Sequence, residues 1–161
     1  MSKLPLLPIN VAGQWLPGSG EVYESLYPAT GEPIARLNAA GLQDVNEAIA
    51  GADHAFKTSG WAQMLPHVRA AVLHRVAGLI RERSEELAQR QRLDNGKPIN
   101  ETRARVASAA GTFQFFAAAL ETLEDSITPS RGPYVTMSVH EPMGVVAAIT
   151  PWNSPIASEA Q

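Results

Sequence analysis

Trp152 and Asn153 are the two side chains whose type and position most favour chemistry on a bound ligand. They follow an apolar run without alternation, residues 145–149, which predicts a strand covered on both faces. Pro151 has no N–H to donate and therefore ends the strand. Open parallel sheets bind ligands beyond the carboxyl ends of their strands. The sequence therefore predicts a binding site at Trp152 and Asn153.

The other candidates for nucleophiles and metal ligands favour simpler roles. The chain contains no cysteine, which excludes disulfides, thiolate metal sites and a cysteine nucleophile within these residues. Ser154 precedes Pro155, a pairing typical of a helix N-cap and first helical position. His67 and His74 lie seven positions apart, too far to chelate one metal as an i, i+4 pair does. We expect solvent or salt-bridge roles for both histidines.

Length and composition favour an intracellular protein with a sizeable core. The chain has 161 residues and a formal net charge of −3, which gives no global attraction to nucleic acid or to a membrane surface. No apolar run is long enough to span a bilayer, and the N-terminus lacks the pattern of a secretory signal. We expect a cytoplasmic protein with no nucleic-acid or membrane partner.

Strand signals come first along the chain. Residues 22–27 and 33–37 predict two strands, and residues 28–31 predict the turn between them. The Pro-Gly-Ser-Gly segment at residues 17–20 follows no buried strand and opens no helix, so it does not match a phosphate-binding loop. We expect a hairpin turn there.

Helical periodicity follows the strands. One helix is expected to begin at Asp44, with Glu47 completing a capping box, and the next at Pro66. Ser84 begins a shorter helix that Asn95-Gly96 stops. A long helix then continues to about residue 123. The predicted inward-facing residues are Val45, Ala48, Ile49, Ala52, Ala55 and Phe56 in the first helix; Val68, Val72, Val76, Leu79 and Ile80 in the second; and Ile99, Val106, Ala109, Ala110, Phe113, Ala117 and Leu120 in the last.

The last third of the sequence indicates an incomplete domain. Residues 134–140 alternate apolar and polar side chains, as in an antiparallel strand with one exposed face. The buried strand after it has no parallel partner among the predicted strands. Only seven residues follow the N-cap at Ser154, and so short a helix is marginal in water. These features predict the front part of something larger.

Three segments give the sequence a resemblance to the aldehyde dehydrogenase superfamily. They are Pro-Ala-Thr-Gly-Glu-Pro-Ile-Ala at 28–35, Leu-Asp-Asn-Gly-Lys-Pro at 93–98, and Glu-Pro-Met-Gly-Val-Val at 141–146 leading to Pro-Trp-Asn at 151–153. They occur in the order and spacing of that family, and the likeness covers residues 11–161. The last segment is highly specific, and the second is moderately so.

The resemblance implies an α/β fold. The chain would be the helix-rich N-terminal part of a Rossmann-type cofactor domain, with one strand of the oligomerisation arm. Residues 1–127 would form the N-terminal hairpin and helical part, residues 128–143 the arm strand, and residues 144–161 the first buried strand and the start of the next helix. The catalytic domain would be absent. A homo-oligomer, or the remainder of the subunit, is the implied partner.

The resemblance also implies a reaction, the NAD- or NADP-dependent oxidation of an aldehyde to a carboxylic acid through a cysteine thioester. Ile149, Thr150, Pro151, Trp152 and Asn153 would line the dinucleotide cleft. The amide of Asn153 would donate a hydrogen bond to the oxyanion formed when the thiolate attacks the aldehyde. The cysteine and the general-base glutamate would lie outside these 161 residues, so the chain alone is expected to be inactive.

Two alternatives remain open. Asn153 could instead cap the helix that begins near Pro155, and both roles could hold at different atoms. The chain could also be a non-catalytic remnant that acts as an oligomerisation or interaction module. Residues 134–140 and the exposed edge of the predicted buried strand would then supply the contact.

A structural cation site is a further implication of the resemblance. Asp94, with the backbone carbonyls of Ser25 and Leu26, resembles a monovalent-cation site found in some members. The simpler interpretation is that Asp94 is a charged loop residue capping a turn.

Overall fold

A computed structural model describes residues 4–161, and in this range short strands precede and follow a set of helices. The α/β fold class predicted from the sequence is confirmed. The strands are β1 (Leu6–Leu7), β2 (Ile9–Val11), β3 (Gln14–Leu16), β4 (Val22–Leu26), β5 (Pro33–Asn38), β6 (Ser126–Thr128) and β7 (Thr136–Ser138). The helices are α1 (Leu42–Thr58), α2 (Pro66–Glu82), α3 (Ser84–Asn95), α4 (Ile99–Glu121) and α5 (Pro155–Glu159), with a 3₁₀ turn at Trp61–Gln63.

The N-terminal strands form a small sheet and a separate hairpin. In the sheet, β5 is central and pairs with β1 in parallel and with β4 antiparallel. The hairpin joins β2 to β3 through Ala12 and Gly13, both with positive φ. The two strands predicted at residues 22–27 and 33–37 are therefore confirmed, as β4 and β5.

The loop at residues 17–20 is not the predicted hairpin turn, because β3 and β4, which flank it, belong to different sheets. It packs against the end of β5 instead. The Asn38 side-chain N–H donates to the Gly18 carbonyl at 2.9 Å, and the Gly20 N–H donates to the Ala39 carbonyl at 2.8 Å. The loop therefore serves to hold the β3–β4 connection against the sheet.

A buried carboxylate joins this loop to the start of α1. Oδ2 of Asp44 accepts hydrogen bonds from Ser19 N and Oγ, at 2.8 and 2.7 Å, and from Gly41 N at 2.8 Å. The backbone and hydroxyl of Ser19, and then the Gly41 N–H, hold the pKa of Asp44 below its usual value. Gly41 is the N-cap and Asp44 lies in the first turn. The predicted capping box with Asp44 at the cap and Glu47 is therefore wrong.

The core lies where α2, α3 and α5 pack on α4. Its fully or nearly fully buried side chains are small: Ala70 and Ala77 on α2, Ala88 on α3, Thr102, Val106, Ala109, Ala110 and Ala117 on α4, and Ala157 on α5. The inward face predicted for α4 is confirmed at Val106, Ala109, Ala110 and Ala117. Small side chains let helix backbones approach closely, and large ones would hold them apart.

The predicted inward faces of the first two helices are wrong. In α1, Val45 and Ile49 are exposed, and in α2 Val68 and Val72 are exposed, whereas Ala70 and Ala77 are buried. The α2 helix meets α4 through its alanines, and of its larger apolar residues Val76 and Ile80 are only half-buried. Among the described residues α1 packs chiefly on β2, which leaves most of its apolar face uncovered.

Charged side chains connect α3 to α4 on the exposed side. Nε and Nη2 of Arg103 donate to the two carboxylate oxygens of Glu85, at 2.8 and 2.9 Å. These hydrogen bonds, with one from Gln89, lower the pKa of Glu85 to about 2. Arg83 and Arg90 both pair with Glu86 at 3.0 Å. Arg83, Arg90 and Arg103 thus belong to a solvated, ion-paired helix surface.

The apolar run at residues 145–149 does not form the predicted buried strand. Residues 139–150 form no hydrogen-bonded strand, and Val146 and Ile149 are 70% and 100% exposed. A parallel strand needs a neighbour to satisfy its backbone groups, and no strand of residues 4–161 lies beside it. The strand predicted at residues 134–140 is also shorter than expected. Only Thr136–Ser138 (β7) forms a ladder there, by pairing with β6.

Gly18 and Gly111 provide a test of this packing, because the same substitution should have opposite effects. A Cβ at Gly18 would lie 2.5 Å from the Asn38 carbonyl oxygen and 2.8 Å from the Ala39 carbonyl carbon, both backbone atoms. We expect Gly18→Ala to destabilise the chain by about 1–3 kcal/mol. Gly111 lies inside α4 with nothing within 4 Å of a new Cβ, so Gly111→Ala should stabilise it by about 0.5–1 kcal/mol.

Urea denaturation of both variants measures the two effects. Equal unfolding midpoints for the two variants would contradict the packing described for the loop at residues 17–20.

Candidate functional site

The candidate site lies on the turn that connects residues 139–150 to α5. Ser154 is the N-cap of α5 and Pro155 is its first residue, as the sequence predicted. Ala157 and Ala160 are buried, and α5 packs on α4. The turn at residues 151–154 is thus fixed from its C-terminal side, because α5 is docked on the central helix.

The five residues predicted to line a cofactor cleft lie consecutively on the surface. Ile149 is fully exposed, Trp152 is 79% exposed, and Thr150, Pro151 and Asn153 are exposed as well. They form an apolar surface with one amide side chain at its end. Exposed apolar surface of this kind typically marks a place where a ligand or another part of a protein binds.

Asn153 is not the helix cap. The N-cap position belongs to Ser154, which is 8% exposed. Within residues 4–161 the side chain of Asn153 takes part in no hydrogen bond, whereas its backbone carbonyl accepts one. The capping alternative for Asn153 is therefore not what the structure shows. Its side-chain N–H₂ is available to a group outside the described residues.

The backbone of Asn153 is held by Asn95, the last residue of α3. Nδ2 of Asn95 donates to the Asn153 carbonyl oxygen at 3.4 Å, and Oδ1 of Asn95 accepts from Lys97 N at 3.2 Å. Gly96, at φ +72°, ends α3 in the left-handed conformation, as the sequence predicted. The sequence indicates Asn95 only as part of this helix stop. No sequence signal revealed its contact with a residue 58 positions away.

The structure also brings together two of the residues of the candidate cation site. Ser25 Oγ–H donates to Asp94 Oδ1 at 3.0 Å, and the register of β4 and β5 shifts between Ser25 and Leu26. A shift of this kind turns backbone carbonyls out of the ladder. The monovalent cation itself stays a prediction. Among residues 4–161 no three His, Asp or Glu side chains form a group able to hold a metal ion.

His67 and His74 are both exposed on α2. No helix in residues 4–161 is both long and apolar enough to cross a membrane.

Phe115 and Phe116 are the exposed aromatic pair of α4. Their rings pack edge to face, with centroids 5.3 Å apart and planes at 81°. They are 66% and 48% exposed, while Phe113 is half-buried. Edge-to-face contact suits the ring quadrupoles, and it leaves two ring faces uncovered on this side of the helix.

Comparison with known proteins identifies the family of this chain. The model of the aldehyde dehydrogenase family matches residues 15–161, and the chain belongs to that family. Acetaldehyde dehydrogenase 2 of Cupriavidus necator is 38% identical over 148 residues, which are 91% of this chain and 29% of the relative. The chain thus spans less than a third of that relative's length.

Solved structures agree with the sequence comparison. An NAD-dependent aldehyde dehydrogenase from Sinorhizobium meliloti superposes with a TM-score of 0.91 at 30% identity, covering 98% of this chain and 32% of that one. The indole-3-acetaldehyde dehydrogenase AldA of P. syringae, solved with NAD+ and IAA, gives a TM-score of 0.89 at 30% identity, covering 93% and 31%. The arrangement of residues 4–161 therefore matches the corresponding part of whole enzymes.

Proposed function

We propose that this chain is the N-terminal part of an enzyme that oxidises an aldehyde to a carboxylic acid with NAD or NADP. Family membership over residues 15–161 supports the reaction class. The observation that carries the site is the exposed Asn153 amide, which makes no hydrogen bond within the described residues and lies on a turn fixed by α5 and Asn95.

Asn153 supplies the electrostatic part of the proposed chemistry. When a nucleophile adds to an aldehyde, the carbonyl oxygen becomes negatively charged. A neutral N–H₂ group held in place stabilises that charge without having to reorganise as the reaction proceeds. Asn153 changes neither its charge nor its protonation state during the step, so it lowers the barrier by donating a hydrogen bond and by orienting the aldehyde oxygen.

The surface next to Asn153 suits the flat ring of a nicotinamide. Ile149 and Trp152 expose apolar side chains there, and Thr150 and Pro151 expose the backbone between them. These residues would hold the dinucleotide, which when bound accepts the hydride from the substrate carbon. Their contribution is to orient the ring and to keep water from the reacting carbon.

The nucleophile and the base are assigned to the rest of the enzyme. The chain has no cysteine, so no thioester can form on it. The chain by itself is therefore proposed to be inactive. The whole reaction requires a thiolate and a general-base carboxylate brought to the Asn153 amide by other parts of the protein.

The β6–β7 hairpin is proposed as an oligomerisation contact. Ile127 and Met137 lie directly opposite each other in its register, so they share a face. They are 74% and 60% exposed, and Val135 is 73% exposed. This apolar strip, residues Ile127, Val135 and Met137, is the observation that favours a subunit interface. The same strip would serve a non-catalytic interaction module, which is the second candidate function.

The first test of the proposal is Asn153→Ala in the complete enzyme. We expect kcat to fall by about 10²–10³-fold with little change in cofactor affinity, because one oxyanion donor is lost. Steady-state kinetics with the preferred aldehyde measures both quantities. Asn46→Ala is a matched control, since Asn46 is exposed on α1. An unchanged kcat in Asn153→Ala would contradict the proposed oxyanion role.

The second test concerns the isolated 161-residue chain. Residues 149–153 supply only one side of the proposed cleft, because Ile149 and Trp152 are uncovered. We expect isothermal titration calorimetry with NAD+ to show no saturable micromolar binding to the chain, and clear binding to the complete enzyme as the control. Micromolar binding to the isolated chain would mean that its described surface is already a sufficient site.

The third test concerns the apolar strip of the β6–β7 hairpin. Met137→Glu places a charge on that strip, and Thr136→Glu places the same charge on the opposite face. We expect Met137→Glu alone to reduce the mass of the complete enzyme in solution, measured by light scattering after size-exclusion chromatography. An equal mass for both variants and the unmodified enzyme would contradict an interface at the strip.

A further inference from the structure

Asn153 needs a fixed backbone if its amide is to meet an oxygen at a defined point. Its side chain has no hydrogen bond within the described residues, so the backbone alone determines where the amide reaches. Among residues 4–161, one side-chain hydrogen bond is made to the segment at residues 149–154, and it comes from Asn95. Asn95, the last residue of α3, is half-buried.

The turn that carries Asn95 is itself anchored on the other side. Asp94 accepts a hydrogen bond from Ser25 on β4. A Cβ at Gly96 would lie 3.0 Å from the Pro28 ring, so the backbone at Gly96 packs close against the β4–β5 turn. The Gly96 N–H donates to the Arg92 carbonyl at 2.9 Å. The residues on both sides of Asn95 are therefore held by the N-terminal sheet.

The Asn95 side chain uses both ends of its amide. Oδ1 accepts from Lys97 N, which fixes the orientation of the side chain, and Nδ2 is then directed at the Asn153 carbonyl. That carbonyl belongs to the peptide plane between Asn153 and Ser154. Ser154 is buried at the start of α5, so the plane is held at both of its ends.

We propose that Asn95 is a positioning residue for Asn153: its Nδ2 holds the Asn153 carbonyl so that the Asn153 amide points at the reacting oxygen. This inference rests on the proposed oxyanion role of Asn153. Asn95 touches neither substrate nor cofactor and acts only through the backbone of Asn153. A misplaced donor lowers the rate of the chemical step more than the binding of substrate, since its hydrogen bond matters most in the transition state.

Asn95→Asp removes the hydrogen-bond donor of the Asn95 side chain and keeps its acceptor. A carboxylate retains an acceptor for Lys97 N but has no N–H to give to the Asn153 carbonyl. Asn10→Asp is the matched control, because Oδ1 of Asn10 accepts from Gly13 N at 3.2 Å in the β2–β3 turn, far along the chain from Asn153. In the complete enzyme we expect Asn95→Asp to lower kcat by about tenfold with KM nearly unchanged, and Asn10→Asp to leave both near their original values.

A double-mutant cycle separates positioning from a general structural role. If Asn95 acts through Asn153, Asn95→Asp should lower kcat in the unmodified enzyme and have almost no further effect in the Asn153→Ala background. Additive losses in the cycle would overturn the inference. A normal kcat in Asn153→Ala alone would instead overturn the proposed oxyanion role, so the two failures are distinguishable.

Should Asn95→Asp fail to give folded enzyme, Asn95→Ser provides the same comparison. A serine hydroxyl can still accept from the backbone two residues on, and it is shorter than the amide that reaches Asn153. In the complete enzyme, the ¹⁵N shift of the Ser154 amide should move in Asn95→Asp and not in Asn10→Asp. An unmoved Ser154 signal would mean that the Asn95 contact is absent in solution, which also overturns the inference.

Discussion

Close helix packing through small side chains is the constraint on which the rest of the structure depends. α4 is the central helix, and α2, α3 and α5 all pack on it. The buried residues at these contacts are alanines, with Val106 and Thr102 as the largest fully buried side chains. Such a core excludes water by bringing helix backbones together, so each additional methyl group would push a helix away. The position of α5, and with it the turn at residues 151–154, follows from this packing.

The second link is polar and joins the N-terminal sheet to the candidate site. Ser25 holds Asp94, and the next residue, Asn95, holds the carbonyl of Asn153. The C-terminal end of α3 thus contacts one partner on each side. A segment far from Asn153 in sequence therefore contributes to the geometry around it. The helix ends at this point because Gly96 adopts positive φ without a steric cost.

A third feature is the amount of apolar surface that the described residues leave uncovered. It includes much of the predicted apolar face of α1, the strip on the β6–β7 hairpin and the run at residues 145–149. Monomeric proteins rarely expose large contiguous apolar patches. The match to less than a third of a whole relative agrees with this picture. The proposed function places the remaining parts of a subunit, or a neighbouring subunit, over these surfaces.

The sequence by itself indicated the family, the positions of the five α-helices and of strands β4, β5 and β7, and a candidate site that stays a prediction. It could do so because these depend on local signals: Pro66 and Pro155 at first helical positions, Gly96 after α3, and the ordered motifs ending at Pro151-Trp152-Asn153. Only the tertiary structure decided which helix face is buried, that Asp44 joins two loops, and that Asn95 reaches Asn153. These contacts depend on which elements meet in the folded chain. Nothing in the sequence indicates that residue 19 contacts residue 44, or that residue 95 contacts residue 153. The run at residues 145–149 shows the same limit, because its residue types favour a strand but only a neighbouring strand can make it one.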